Sequence, residues 1–197
     1  MILPIVAYGD PILKQEAEDI TKEYPQLDTL IEDMFETMKN AYGVGLAAPQ
    51  VGLGIRLFVV DTTPFAEAAD EEEDAEERKR LQALEGFKRV FINPIIVEED
   101  GEKWAFNEGC LSIPGIREDV LRREKIVIEY YDEQFQLKEE EFDGYKARVI
   151  QHEYDHIEGV LFTDRLNPIR KQFLKKKLND IAVGKVNADY KMRFAKR

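Results

Sequence analysis

Histidine and cysteine are nearly absent from this 197-residue sequence, which has two histidines and one cysteine. One cysteine excludes an intramolecular disulfide and fits a reducing compartment. No apolar run is long enough to span a bilayer, and residues 1–10 lack the basic start and sustained apolar stretch of a signal peptide. We therefore expect a cytoplasmic protein without a membrane segment.

The chain length and the distribution of charge set further bounds. A chain of 197 residues is suited to one domain with a full core, so we expect a single domain over 1–197. The net charge is -12, yet residues 159–197 contain eleven Lys or Arg against three Asp. Overall acidity argues against specific or nonspecific nucleic-acid binding by the body of the protein. The basic segment is suited to a polyanionic partner, with a solvated helix face as the alternative.

Both histidines lie in the segment His152-Glu153-Tyr154-Asp155-His156. Residues four apart share one face of a helix, so both imidazoles can reach a single metal ion. The intervening Glu153 can handle a proton of metal-bound water without binding the metal itself. This HExxH pattern predicts a hydrolytic metalloenzyme, and a chance match on a surface helix is the alternative.

A catalytic metal site needs a third protein ligand and an open position. In one class of HExxH proteases the third ligand is a histidine that follows a glycine; here Gly159 is present, but Phe162 stands in place of that histidine. In a second class the third ligand is a downstream glutamate, but Glu158 is the last glutamate of this chain. Upstream, Cys110 follows Gly109, and thiolate with two imidazoles suits iron or zinc. Cys110 is thus favoured over a purely structural cysteine. The weaker candidates that stay open are Asp164, Asp180 and Asp189.

Periodicity predicts the main elements. Helices are expected over about 25–40, 143–158 and 167–181, the last burying Ile169, Phe173, Leu174, Leu178 and Ile181. Strands are expected over 57–60, over 90–97 with an edge or a break at Pro94, and over 103–106, and a hairpin is expected over 126–142. Helices at both ends with strands between them favour an α+β fold. The acidic stretch 67–80 is expected outside the core.

Three separated motifs resemble those of bacterial peptide deformylases. They are Gly43-Val44-Gly45-Leu46-Ala47-Ala48-Pro49-Gln50-Val51-Gly52, then Glu108-Gly109-Cys110-Leu111-Ser112, then Gln151-His152-Glu153-Tyr154-Asp155-His156. The resemblance implies mixed and antiparallel sheets packed around a central metal-binding helix, with helices at the N- and C-terminal ends. It also makes residues of about 62–88 an insertion.

The resemblance implies removal of the formyl group from the N-terminal formylmethionine of nascent polypeptides, with release of formate. Cys110, His152 and His156 would hold one divalent metal, Fe(II) in the cell, for which zinc, nickel or cobalt can substitute. Glu153 would transfer the proton. The backbone N–H of Leu111 and the side-chain amide of Gln50 would donate to the oxyanion.

The resemblance also implies a pocket for the methionine side chain and a track for the peptide. Arg117 is a candidate contact of the peptide backbone. Arg148 lies near this wall, so either its head reaches solvent or the pocket differs from the usual one. Asp155 is expected to orient a ligand or to face solvent. The expected substrate-binding residues are Gly43, Val44, Gly45, Glu108, Gly109, Arg117, Tyr145 and Val149.

Two other functions compete with deformylation. A metallopeptidase that cleaves internal peptide bonds is disfavoured by the missing downstream ligand, and a closed structural metal site would need a fourth protein ligand. The expected partners are N-formylmethionyl nascent peptides and, through the basic C-terminal helix, the polyanionic ribosome.

Overall fold

The computed structural model of the protein describes residues 1–195, so Lys196 and Arg197 of the basic segment lie outside the described residues. The α-helices are α1 (Leu27–Asn40), α2 (Thr63–Glu67), α3 (Ala75–Gln82), α4 (Gly144–Ile157) and α5 (Pro168–Ala182). The strands are β1 (Ile5–Val6), β2 (Gly45–Ala47), β3 (Leu57–Asp61), β4 (Lys88–Cys110), β5 (Ile113–Tyr131), β6 (Leu137–Asp143) and β7 (Met192–Arg193). Short 3-10 helices occupy Pro11–Lys14, Ala48–Val51, Ala68–Glu71 and Phe162–Arg165.

Two sheets and the helices around them confirm the predicted α+β class. The large sheet has the order β2-β3-β4-β5-β6, and every neighbouring pair in it is antiparallel. The small sheet joins β1 and β7 in parallel, which brings the two ends of the chain together. Within residues 1–195, no helix is long and apolar enough to cross a membrane.

Strand β3 shows why the large sheet is apolar on both faces. Phe58 and Val60 belong to the core cluster that contains Val149 of α4. Leu57 and Val59 point the other way, into the core cluster that contains helix α1 residues such as Met34. Alternate side chains of a strand face opposite sides of the sheet, so a strand covered by helices on both faces becomes a continuous apolar run.

Strand β4 is longer than predicted, and the predicted interruption at Pro94 is a register shift within the strand rather than its end. Pairing with β5 continues through register shifts between Ile92 and Ile95 and between Asp100 and Lys103. Asn93 has a positive φ of 48°, which places Pro94 at an irregularity where the missing N–H is tolerated. Cys110 pairs with Ile113, so residues 111–112 form the turn of this hairpin.

The helices differ from prediction mainly in which faces they bury. Helix α1 begins at Leu27, because Gln26 has a left-handed φ of 54° that keeps Pro25 outside it. In α5, Leu174, Leu178 and Ile181 are buried as predicted. Ile169 and Phe173, however, are each 72% exposed, so their predicted burial is wrong. Helix α3 of the acidic stretch has no buried residue, which agrees with its expected place outside the core.

Candidate metal centre

The last residue of β4 and one face of α4 bring together the three predicted metal ligands. Cys110 Sγ lies 3.3 Å from His156 Nε2, and the donor atoms of Cys110, His152 and His156 all lie within 4.8 Å of one another. The two imidazole rings are 5.2 Å apart and nearly perpendicular, at 78°. Among the described residues, no aspartate joins this group. Instead, Asp164 accepts a hydrogen bond from the Leu161 N–H and pairs with Lys14.

A buried carboxylate holds His152 in place. His152 Nδ1 lies 2.9 Å from Glu108 Oε2, which leaves Nε2 for a metal. Glu108 also accepts hydrogen bonds from Arg122 Nε and Nη2, at 2.7 and 2.9 Å, and from Arg148 Nη1 at 2.9 Å. Burial alone would raise the pKa of Glu108, but the hydrogen bonds from Arg122 and His152 hold it well below its usual range. Glu108 is therefore an anion whose oxygens are already used by buried partners.

The ion network continues away from the metal site. Arg122 Nη1 donates to Asp155 Oδ2 at 2.7 Å, and Arg165 Nε donates to the same oxygen at 2.6 Å. Asp155 is 4% exposed, so its expected alternative of facing solvent is wrong. Asp155 anchors Arg122, which in turn holds Glu108 against His152. No local pattern in the sequence predicts this role for Arg122, because its partners lie on different elements.

The Arg148 head group does not reach solvent, so the first of the two alternatives for this residue is wrong. Arg148 is 2% exposed, and its guanidinium donates to the carbonyls of Trp104 and Val120 at 2.7 and 2.9 Å. Its Cζ lies 4.4 Å from the centre of the Trp104 ring. Together with Glu108, these contacts give a buried arginine the partners that make its burial tolerable.

Glu153 is buried beside the ligand group and has an unused oxygen. Among the described residues, no hydrogen-bond partner contacts its Oε2. A Cβ at Gly45 would lie 2.7 Å from Glu153 Cδ, so only glycine leaves room for this carboxylate. Burial raises the pKa of Glu153 to about 7, although nearby His152 lowers it. The side chain is therefore suited to exchange a proton near neutral pH.

Gln50 has a fixed orientation next to the ligand group. Its Oε1 accepts the Ala47 N–H at 2.9 Å, which directs Nε2 to within 3.4 Å of both Cys110 Sγ and Ser112 Oγ. Leu111 directly follows Cys110 in the hairpin turn. The amide of Gln50 therefore lies next to Cys110, which Leu111 directly follows, and Ser112 is a neighbour that sequence reasoning missed.

A cavity of about 630 Å³ opens onto this group. Its lining includes seven of the eight expected substrate-binding residues: Gly43, Val44, Gly45, Glu108, Gly109, Arg117 and Val149. Tyr145 is outside this lining, because its hydroxyl bonds to Glu77 at a neighbouring cavity. Sequence reasoning missed Pro64 and Phe65, from the insertion, and the C-terminal residues 187–190, which also line the cavity.

The residues present are suited to a metal ion. A thiolate and two imidazoles are a donor set for iron or zinc. Burial lowers the pKa of His156, which favours the neutral imidazole that a metal ligand requires. Burial also opposes charge on His152, but contacts with Cys110 and Glu108 raise its pKa well above the ordinary value. Two of the three donor residues, Cys110 and His152, line the cavity together with the buried Glu153, and this arrangement is that of a mononuclear metallohydrolase.

Comparisons with known proteins give the particular family. A family model described as polypeptide deformylase matches residues 2–172. The peptide deformylase of Christiangramia forsetii is 60% identical over 98% of this chain and 96% of its own length. A Legionella pneumophila peptide deformylase structure has a TM-score of 0.75 at 34% identity and covers 94% of this chain and 98% of that one. Arabidopsis thaliana peptide deformylase 1B with an inhibitor reaches a TM-score of 0.78 at 33% identity, covering 93% and 92%.

The chain belongs to the polypeptide deformylase family. It is a metalloenzyme that removes the formyl group from N-formylmethionyl nascent peptides. The alternative of a metallopeptidase that cleaves internal peptide bonds is not favoured.

Proposed function

We propose that Cys110, His152 and His156 hold one divalent metal ion, Fe(II) in the cell, at which deformylation takes place. The observation that carries this proposal is the spacing of the three donor groups, all within 4.8 Å of one another beside the buried Glu153. When bound, such an ion acts as a Lewis acid that makes water a nucleophile near neutral pH. Glu108 would keep the His152 ring oriented for this role.

In this proposal Glu153 is the general base and acid. It would accept the proton of the attacking water and return it to the departing amine as the formyl group leaves as formate. Its free Oε2, its burial and its place in the cavity lining support this assignment. The approach of Gly45 limits movement of the carboxylate, which keeps it next to the reacting group.

The side-chain amide of Gln50 and the backbone N–H of Leu111 would stabilise the oxyanion. Donors that are already oriented before the reaction stabilise developing charge without reorganisation. The bond from the Ala47 N–H to Gln50 Oε1 supports this role, because it turns the amide nitrogen towards Cys110. Leu111 lies in the turn directly after Cys110, which supports its assignment as the second donor.

Gly43, Val44, Gly45, Gly109 and Val149 would bind the formylmethionine, and Arg117 would contact the peptide that follows. All of them line the cavity. Arg117 already bonds to Asn107, through Nε to Oδ1 at 2.9 Å, so it is held along the rim. For Glu108 and Tyr145 we propose no direct substrate contact, because other residues already bind their polar groups.

The exchange of Glu153 for alanine tests the mechanism. Glu153→Ala should lower kcat by about 10²- to 10⁴-fold, because it removes the group that transfers the proton. Metal content, measured by elemental analysis after anaerobic purification, should remain close to one ion per chain. Glu158→Ala is a matched control on the same stretch of chain, since its contact is with Arg56. Activity that survives Glu153→Ala would overturn the general-base assignment.

The choice of Fe(II) can be tested separately. Iron protein handled without oxygen should turn over formyl-Met-Ala-Ser faster than zinc protein, and exposure to air should inactivate it. Nickel or cobalt should preserve activity. Equal rates for aerobic zinc protein and anaerobic iron protein would contradict Fe(II). Release of formate without cleavage of an unformylated Met-Ala-Ser control would separate deformylation from peptidase activity.

We further propose that the protein is a cytoplasmic enzyme with a single domain over 1–197 and an insertion at about 62–88.

We also propose that the protein docks on the ribosome through α5. The exposed face of α5 carries Lys171, Lys175 and Lys176 beside Ile169 and Phe173. Cations and accessible apolar groups are suited to a polyanionic particle with protein on its surface. Lys171→Glu/Lys175→Glu should reduce salt-dependent co-sedimentation with ribosomes, whereas Lys138→Glu on β6 should not. Equal co-sedimentation of both variants would contradict docking through α5.

A further inference from the structure

The chain returns to the metal centre after α5, through a C-terminal strap formed by residues 186–194. The strap is anchored at its end by β7, where the Ile5 N–H donates to the Lys191 carbonyl at 2.9 Å and the Ala7 N–H to the Arg193 carbonyl at 2.8 Å. Val186, Met192 and Phe194 pack against an apolar core cluster. The strap lies beyond residues 2–172, which the family model matches. It is nevertheless an ordered part of the site, because residues 187–190 line its cavity.

Tyr190 of the strap contacts the hairpin turn that follows Cys110. Its hydroxyl donates to the Leu111 carbonyl at 2.7 Å. The next carbonyl in the turn, that of Ser112, accepts the Tyr8 N–H at 2.8 Å. Both ends of the chain therefore hold the two carbonyls of this turn. Burial raises the pKa of the Tyr190 phenol above its ordinary value, so it remains a donor at neutral pH.

The same strap contacts the element that carries Gln50. Gly52 ends the short helix of Ala48–Val51 in a left-handed conformation, with a φ of 86°. A Cβ at Gly52 would lie 2.8 Å from Arg193 Cζ, so the guanidinium lies directly against this glycine. Residues 190–193 of the strap thus contact both the turn that contains Leu111 and the short helix that carries Gln50, the two residues proposed as oxyanion donors.

We propose that Tyr190 is a positioning residue for deformylation, through which the C-terminal strap fixes the direction of the Leu111 N–H. The Leu111 N–H and carbonyl belong to consecutive peptide planes that meet at the Leu111 Cα, and the φ and ψ angles of Leu111 set their relative orientation. A hydrogen bond that holds the carbonyl therefore limits rotation of the N–H as well. This proposal rests on the oxyanion role of Leu111, and Tyr190 itself does not touch the reacting atoms.

Tyr190→Phe in the full-length protein tests this proposal, since it removes only the hydroxyl. The Leu111 amide resonance of 15N-leucine-labelled zinc protein, assigned with Leu111→Ile, should shift in this variant. With formyl-Met-Ala-Ser, kcat should fall about 3- to 10-fold and KM should stay within about twofold, as for the loss of one orienting hydrogen bond. Tyr130→Phe is the matched control, because it removes a hydroxyl bond to Glu140 of 2.5 Å in the large sheet.

The outcomes separate this inference from the proposed function. An unshifted Leu111 resonance in Tyr190→Phe would overturn the positioning role of Tyr190 and leave the donor role of Leu111 unaffected. A shifted resonance with unchanged kcat would overturn both roles. Equal effects of Tyr190→Phe and Tyr130→Phe on kcat would also overturn the inference, because they would indicate a general loss of stability. Thermal unfolding and metal analysis of both variants provide the reference for that comparison.

Discussion

Helices α4 and α5 have 14 and 15 residues, yet they serve the protein in opposite ways. From Ala147 onward, α4 is surrounded by protein, and its buried residues include Arg148, Glu153 and Asp155. Helix α5 buries three apolar residues on one face and exposes its lysines together with Ile169 and Phe173. A polar group in the interior is tolerated only with bonded partners, whereas one at the surface is solvated by water. The contrast indicates that the buried ion network stabilises α4 in the fold, whereas a single apolar face stabilises α5.

The largest effect on stability should come from the network around α4. Glu108→Ala leaves Arg148 without its buried anion and removes one of the two anions that pair with Arg122, so the free energy of unfolding should fall by about 3–5 kcal/mol. Affinity for the metal should fall about 10- to 100-fold, because His152 loses its orienting partner. Urea unfolding and metal competition titrations measure the two effects.

Glu118→Ala is the matched control, since Glu118 pairs with the half-exposed Arg170 of α5. Its loss should change unfolding much less than Glu108→Ala does. Comparable losses from both variants would contradict the difference between the two helices.

An intermediate effect is expected on the buried face of α5. Leu178→Ala leaves a cavity among apolar neighbours, and the free energy of unfolding should fall by about 2–4 kcal/mol. The metal centre is formed by other elements, so kcat at a temperature below the transition should change little. A large loss of kcat in folded Leu178→Ala protein would show that α5 is coupled to the metal centre.

The smallest effect is expected on the exposed face of the same helix. Phe173→Ser should change the free energy of unfolding by no more than about 0.5 kcal/mol, because the side chain is already largely in water. Thermal unfolding beside Leu178→Ala gives the direct comparison. A loss as large as that of Leu178→Ala would mean that Phe173 is covered in solution, for example by another copy of the chain.

Much of the fold could be predicted from periodicity, but the partners of side chains could not. The spacing of Leu174, Leu178 and Ile181 correctly gave the buried face of α5, while Ile169 and Phe173 were wrongly included. Periodicity records which residues are apolar, and the neighbouring elements decide which apolar residues are covered. In strand β4 the interruption at Pro94 was predicted, but one sequence does not distinguish a local irregularity from an edge or a break.

In the candidate metal centre, too, local spacing predicted the residues but not all of their contacts. Two histidines four apart on a helix and one cysteine are enough to nominate a metal site, because helical geometry is local and the ligand chemistry is specific. The HExxH pattern also indicated Glu153 as the candidate for proton transfer. Seven of the eight predicted substrate-binding residues line the cavity, whereas the eighth, Tyr145, does not, because its hydroxyl bonds to Glu77 of α3.

The sequence by itself predicted the three candidate metal ligands, the α+β class and the resemblance to the family, since residue types, helical spacing and short motifs indicate each of them. Only the tertiary structure decided that Glu108 and Arg122 hold His152, that Arg148 is buried, and that Tyr190 reaches Leu111. Tyr190 and Leu111 are 79 residues apart in the chain. Contacts at such separations are set by packing of the whole core, because no local spacing specifies which distant groups will meet.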